Sequence, residues 1–253
     1  MKWRWGVLMG AVLAAAAILF LLPAIPQNEA YHKFADTRAL LGVPNCLDVI
    51  SNLLFLIVGV EGLRTVFGRA EFLDPRERWP YTAFFIGVTL TAFGSSWYHL
   101  NPNDATLVWD RIPMAIGFMA LVAAVIAERV RVMTGLRLLV PLIALGIASV
   151  IDWEVTEQHG QGDLRLYAFV QFGSLLILLL LIALFPARYT RTRDLGYSLA
   201  LYALAKLFEY GDRPIFALLR VVSGHTLKHV AAAVSAYWIV RMLRLRRAIQ
   251  QAC

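Results

Sequence analysis

Two histidines one helical turn apart, His225 and His229, lie in the segment Gly224-His225-Thr226-Leu227-Lys228-His229, which opens an apolar stretch. On a helix the i,i+4 spacing turns both imidazoles to one face, where they can hold a single metal ion. A third histidine, His99, closes an earlier apolar stretch in Gly94-Ser95-Ser96-Trp97-Tyr98-His99, with Ser95 on the same helix face one turn before it. Asp110 opens the next stretch in Trp109-Asp110-Arg111-Ile112-Pro113-Met114, and the turn Asn101-Pro102-Asn103-Asp104 brings it back beside His99. Three imidazoles with an open fourth position are the ligand set of a catalytic zinc, whereas a structural zinc is closed by four protein ligands. Zinc lowers the pKa of a coordinated water towards about 7. Asp110 is then suited to orient or deprotonate that water, and Ser95 to donate a hydrogen bond to an oxyanion.

Each of these patterns has a plainer explanation when taken alone. A histidine pair on a helix commonly serves interhelical hydrogen bonding, and a serine commonly fills a close helix contact in a membrane. Asp110 has Arg111 beside it as a ready partner. The information lies in the conjunction, since ionisable side chains near bilayer depth are costly and mark functional sites.

The elements that must position them are apolar helices. The chain has 253 residues, 59% hydrophobic and 16% charged, with a mean hydropathy of +0.64. A spanning helix needs about 20 apolar residues. Eight such segments are expected, at 5–25, 46–67, 80–100, 107–127, 136–152, 164–185, 195–211 and 222–243. The seventh is interrupted by Lys206 and Glu209, whose i,i+3 spacing lets them pair inside a bundle. The expected fold is all-α: a polytopic transmembrane helix bundle, with a seven-helix core over 31–253 preceded by an N-terminal anchor over 1–30.

The net charge of +7 does not point to nucleic acid, because the basic residues sit in short loops and at the ends. Arg64, Arg69, Arg76 and Arg78 follow the second segment, Arg129, Arg131 and Arg137 the fourth, Arg188, Arg191 and Arg193 the sixth, and Arg241, Arg244, Arg246 and Arg247 the eighth. Lys2 and Arg4 precede the first, and the loop with Asp152, Glu154, Glu157 and Asp163 is acidic. With eight spans every basic cluster falls on one side, so both termini are expected in the cytoplasm and the histidine end on the opposite side. Met1-Lys2-Trp3-Arg4 and its apolar run also fit a signal peptide, but the run is long and no A-x-A site follows, which favours a retained helix. Cys46 and Cys253, far apart and in no C-x-x-C, imply neither a disulfide framework nor a thiolate metal site. Short loops and basic composition suit a bacterial inner membrane.

Taken together, Ser95-x-x-x-His99, Asp110 eleven residues on, and His225-x-x-x-His229 resemble the alkaline ceramidases, in a superfamily of seven-helix membrane hydrolases that includes the adiponectin/progestin receptors. Asp48-Val49-Ile50-Ser51-Asn52-Leu53 is similar to the first helix of that family, and the resemblance runs from about Asn45 to Arg244. It implies Zn2+ on His99, His225 and His229, with Asp110 and Ser95 catalytic, and hydrolysis of the ceramide amide to a sphingoid base and a fatty acid. The leading span is a departure, and so is the Thr226-Leu227-Lys228 spacer, which lacks the aromatic pair of the animal enzymes. A calcium site is not expected, because Asn45 stands where a glutamate belongs and only Asp36 and Asp48 supply carboxylates. Lys228 could meet a lipid headgroup, but snorkelling to the interface is the preferred reading.

The expected activity is therefore zinc-dependent cleavage of ceramide or a related N-acyl membrane lipid. An acyl-ester hydrolase of the same superfamily, or a lipid-sensing protein with a structural zinc, are the alternatives. No P-loop, Rossmann fingerprint or nucleophile elbow points to another enzyme class.

Overall fold

Apolar runs of this length must satisfy their backbone groups internally, and a helix does so within one segment. A computed structural model describes residues 2–249 and places a long helix in each of the eight expected segments. These are α1 (Lys2–Leu21), α2 (Cys46–Gly68, with an irregular step at Asn52), α3 (Arg78–Leu100), α4 (Asp104–Arg129), α5 (Val132–Gln158), α6 (Arg165–Leu184) and α7 (Thr192–Tyr210), then α9 (Gly224–Leu245). A short helix that hydropathy does not signal, α8 (Asp212–Leu219), precedes α9 and buries none of its residues. Among the described residues the only β structure is two isolated bridges, Leu40 with Val43 and Tyr189 with Ala248. The bundle is all-α. Cys46 is buried, and Cys253 lies outside the described residues.

Five of the long helices, α1, α2, α4, α5 and α6, are long and apolar enough to cross a membrane, which makes the chain an integral membrane protein. The other three, α3, α7 and α9, have 23, 19 and 22 residues, but they carry the polar side chains discussed below. α4 is the central helix, with 78% of its most apolar window buried, and α1 is peripheral, with 6%. α1 rests on α6 through Trp5, which meets Phe185 edge-on at 5.5 Å.

The long helices alternate in direction, which gives the bundle two unlike ends. At one end Arg188 donates to Glu77 (2.9 Å), Arg129 to Thr192 (2.8 Å) and the Ala248 amide to Glu71 (3.0 Å). Arg246, 1% exposed, pairs with Glu128 there and lies 4.1 Å over the Tyr189 ring. Burial raises the Glu77 carboxyl above its ordinary pKa. At the other end the Leu164 amide donates to the Ile25 carbonyl (2.8 Å), Tyr31 to Glu209 (3.0 Å) and Asn45 to the His99 carbonyl (2.8 Å). The arginine clusters thus gather at one end and the three histidines at the other.

Candidate metal centre

His99, His225 and His229 are 0%, 4% and 3% exposed and come together from the C-terminal end of α3 and the N-terminal end of α9. Two glycines allow this. A Cβ at Gly94 would stand 1.9 Å from the Trp109 carbonyl oxygen, so only glycine lets α3 lie this close to α4 beside Ser95 and Asp110. A Cβ at Gly224 would stand 2.3 Å from the Phe208 carbonyl oxygen, so α9 begins hard against the end of α7. Ser223 caps α9 by accepting from the Thr226 amide (3.0 Å), and Asp212 accepts from the His225 amide (2.8 Å). Across the turn, Asn103 and Thr106 form a capping box that starts α4.

One ligand nitrogen from each histidine lies within 4.8 Å of the others. The Nε2 atoms of His99 and His229 are 3.3 Å apart. Two nitrogens on a tetrahedral zinc, at Zn–N of about 2.05 Å, are separated by about 3.3 Å. The donor set therefore fits zinc without rearrangement of that pair. Nδ1 of His229 is 2.7 Å from Ser51 Oγ, which leaves Nε2 for the ion, and Nε2 of His225 is buried with no hydrogen-bond partner. The Phe34 ring closes the loop side, with its centroid 4.7 Å from His99 and 4.6 Å from His225.

Asp110 and Ser95 are 5% and 2% exposed, and both side chains line the same cavity. Asp110 is not part of the histidine cluster. Asp110, Ser95 and His229 line one wall of a cavity of about 430 Å³ that runs into the bundle past Leu121, Leu178 and Ala236. A one-turn π-helix, Phe169–Gly173, interrupts α6 at this cavity, and its Gln171 donates to the Tyr202 hydroxyl (2.6 Å).

Lys228 does not reach out to the interface. Its Nζ stands 3.2 Å from Glu209 Oε1, and the side chain lines the cavity. Glu209 also takes Lys206, as their spacing implied, and the Tyr31 hydroxyl. Burial first, and then Glu209, push the Tyr31 phenol well up, so it remains a donor at neutral pH. Arg111 turns away from Asp110 and donates instead to Gln27 Oε1 (2.6 Å). The nearby acids are engaged as well. Asp48 accepts from Thr226 (2.5 Å), while Asp36 pairs with Arg38 (2.7 Å), whose hydrogen bonds hold its carboxyl below the usual range.

Ser51, Phe34 and Glu209 were not assigned to the site from sequence. Only Ser51 carried a signal, as part of Ser51-Asn52-Leu53, and nothing in its spacing pointed to His229. The sequence matches no protein-family model, and no curated protein matches it.

Proposed function

We propose that this chain is a zinc-dependent intramembrane hydrolase that cleaves the amide of ceramide or a related N-acyl lipid. The observation that carries the reading is a cluster of three buried imidazoles within 4.8 Å of one another, of which His229 lines an apolar cavity together with Ser95 and Asp110. A zinc ion held by His99, His225 and His229 would supply a Lewis acid and a water acidified towards about pKa 7. Asp110 takes the proton from the attacking water and returns it to the departing amine. Ser95 donates its hydroxyl hydrogen to the oxygen that gains charge. Ser51 holds the His229 ring in its tautomer. The apolar walls take the acyl chain and exclude water from the reacting amide. Because Asp110 stands outside the histidine cluster, the arrangement favours an open coordination position over a closed structural site.

In this reading the arginine-rich end faces the cytoplasm of a bacterial cell, and the metal centre lies towards the opposite side of the inner membrane. The test is zinc content and fatty-acid release of detergent-purified protein, wild type against a His225→Ala/His229→Ala variant. About one zinc per wild-type chain, with release of fatty acid from N-acyl lipids and loss of both in the variant, is the expected result. Full activity in a zinc-free variant would sink the mechanism. Running O-acyl lipids beside N-acyl lipids separates an esterase from an amidase.

A further inference from the structure

The polar end of the cavity holds more positive charge than its own acids neutralise. Its wall carries Arg111, Lys206 and Lys228 against Asp110 and Glu209. Glu209 serves both lysines, accepting Lys228 at one oxygen and Lys206 at the other. Arg111 is 6% exposed, and no carboxylate among the described residues lies within 4.0 Å of its guanidinium. Among the described residues its side-chain hydrogen bond is the single one to Gln27, and Nη1 is buried with no partner.

Three rings surround this guanidinium: Trp153 at 4.2 Å, Tyr167 at 4.9 Å and Tyr31 at 5.8 Å from CZ to the centroid. Ring faces offset part of the desolvation of a cation, but they accept none of its forked N–H groups. A buried guanidinium is costly when it is neither paired nor fully hydrogen-bonded. The rings also fix its plane at the cavity wall, one residue from Asp110. That is the preparation a planar, two-oxygen acceptor requires.

We propose that the lipid taken by this cavity carries an anionic group (carboxylate, sulfonate or phosphate) on the head side of its scissile amide, and that Arg111 anchors it. The inference rests on the hydrolase reading for the location of the amide. Its own content is the charge of the head: the acyl chain lies along the apolar walls, the amide at the histidines, and the anion against the ring-stacked guanidinium. A neutral head leaves the Arg111 charge unmet.

The test compares N-palmitoylglycine with its uncharged amide, N-palmitoylglycinamide, on the full-length zinc-loaded protein in neutral detergent. Binding is read from tryptophan fluorescence, since Trp153 stacks on Arg111, and fatty-acid release is read separately. N-palmitoyltaurine and an N-palmitoyl phosphoethanolamine headgroup distinguish sulfonate and phosphate from carboxylate. The anionic ligands are expected to bind about tenfold or more tightly than the amide, the scale of a charged hydrogen bond. Arg111→Gln should erase the difference, and Arg111→Lys should keep part of it. Equal binding of charged and neutral ligands by wild type, or a preference that survives Arg111→Gln, overturns the proposal. Should Arg111→Gln not fold, the wild-type pair and Arg111→Lys decide. A binding preference without any fatty-acid release keeps the anion site and discards the hydrolase.

Discussion

The Nε2 atoms of His99 and His229 stand 3.3 Å apart although the residues are 130 positions apart in sequence. Without metal the two ring nitrogens can share at most one proton in a single hydrogen bond, whereas an ion between them takes a lone pair from each. Stripping the metal with a chelator should therefore lower the thermal unfolding temperature by several degrees, and zinc should restore it. At a hundredfold excess over its Kd a bound ion adds about 2.7 kcal/mol. An unchanged melt after complete removal would show that the imidazoles are content without metal.

Asp110 lies outside the cluster of ligand nitrogens but lines the same cavity. Replacing it with asparagine keeps the shape and removes the base. Activity should fall by about 10²- to 10⁴-fold while zinc content stays at the wild-type level. Loss of zinc in Asp110→Asn would make it a ligand instead.

Ser51 would act on a bound ion only through His229, with its Oγ 2.7 Å from Nδ1. Ser51→Ala frees that ring to rotate or change tautomer, and zinc affinity should weaken by about 10- to 100-fold. Competition with a zinc-binding dye measures this directly. Ser51→Thr, which keeps the hydroxyl, should recover much of the affinity.

Gly94 fixes how closely α3 approaches α4, since a Cβ there would fall 1.9 Å from the Trp109 carbonyl oxygen. Gly94→Ala should destabilise the bundle by about 1–3 kcal/mol, as overpacking does, and reduce activity by shifting the neighbouring Ser95 and Asp110 apart. Gly196→Ala is the control, because nothing lies within 4 Å of its Cβ. That change should leave the melting temperature equal or higher, alanine being the better helix former.

The helices were legible because the bilayer leaves so few options: each expected apolar segment holds a helix, and even the interrupted seventh keeps its Lys206–Glu209 pair. The meeting of the three histidines was legible for a related reason, since alternating helices of fixed length put the end of α3 and the start of α9 at the same end of the bundle. The fate of individual charges was not. Lys228 turns inward because Glu209 waits on α7, and Arg111 leaves Asp110 for Gln27 and three aromatic rings. Those partners sit on distant helices or in the loop after α1, and no local spacing encodes them. α8 escaped notice because eight residues with no buried face follow no pattern tied to the core.

The ligands' positions along the chain have a consequence for how the protein is made. His99 leaves the ribosome early, at the end of α3, whereas His225 and His229 arrive only with α9, after the other helices have been synthesised. Partial chains therefore lack two of the three imidazoles. A metal site built on these three side chains would have to wait for α9, and a half-assembled bundle would hold no such site in the membrane.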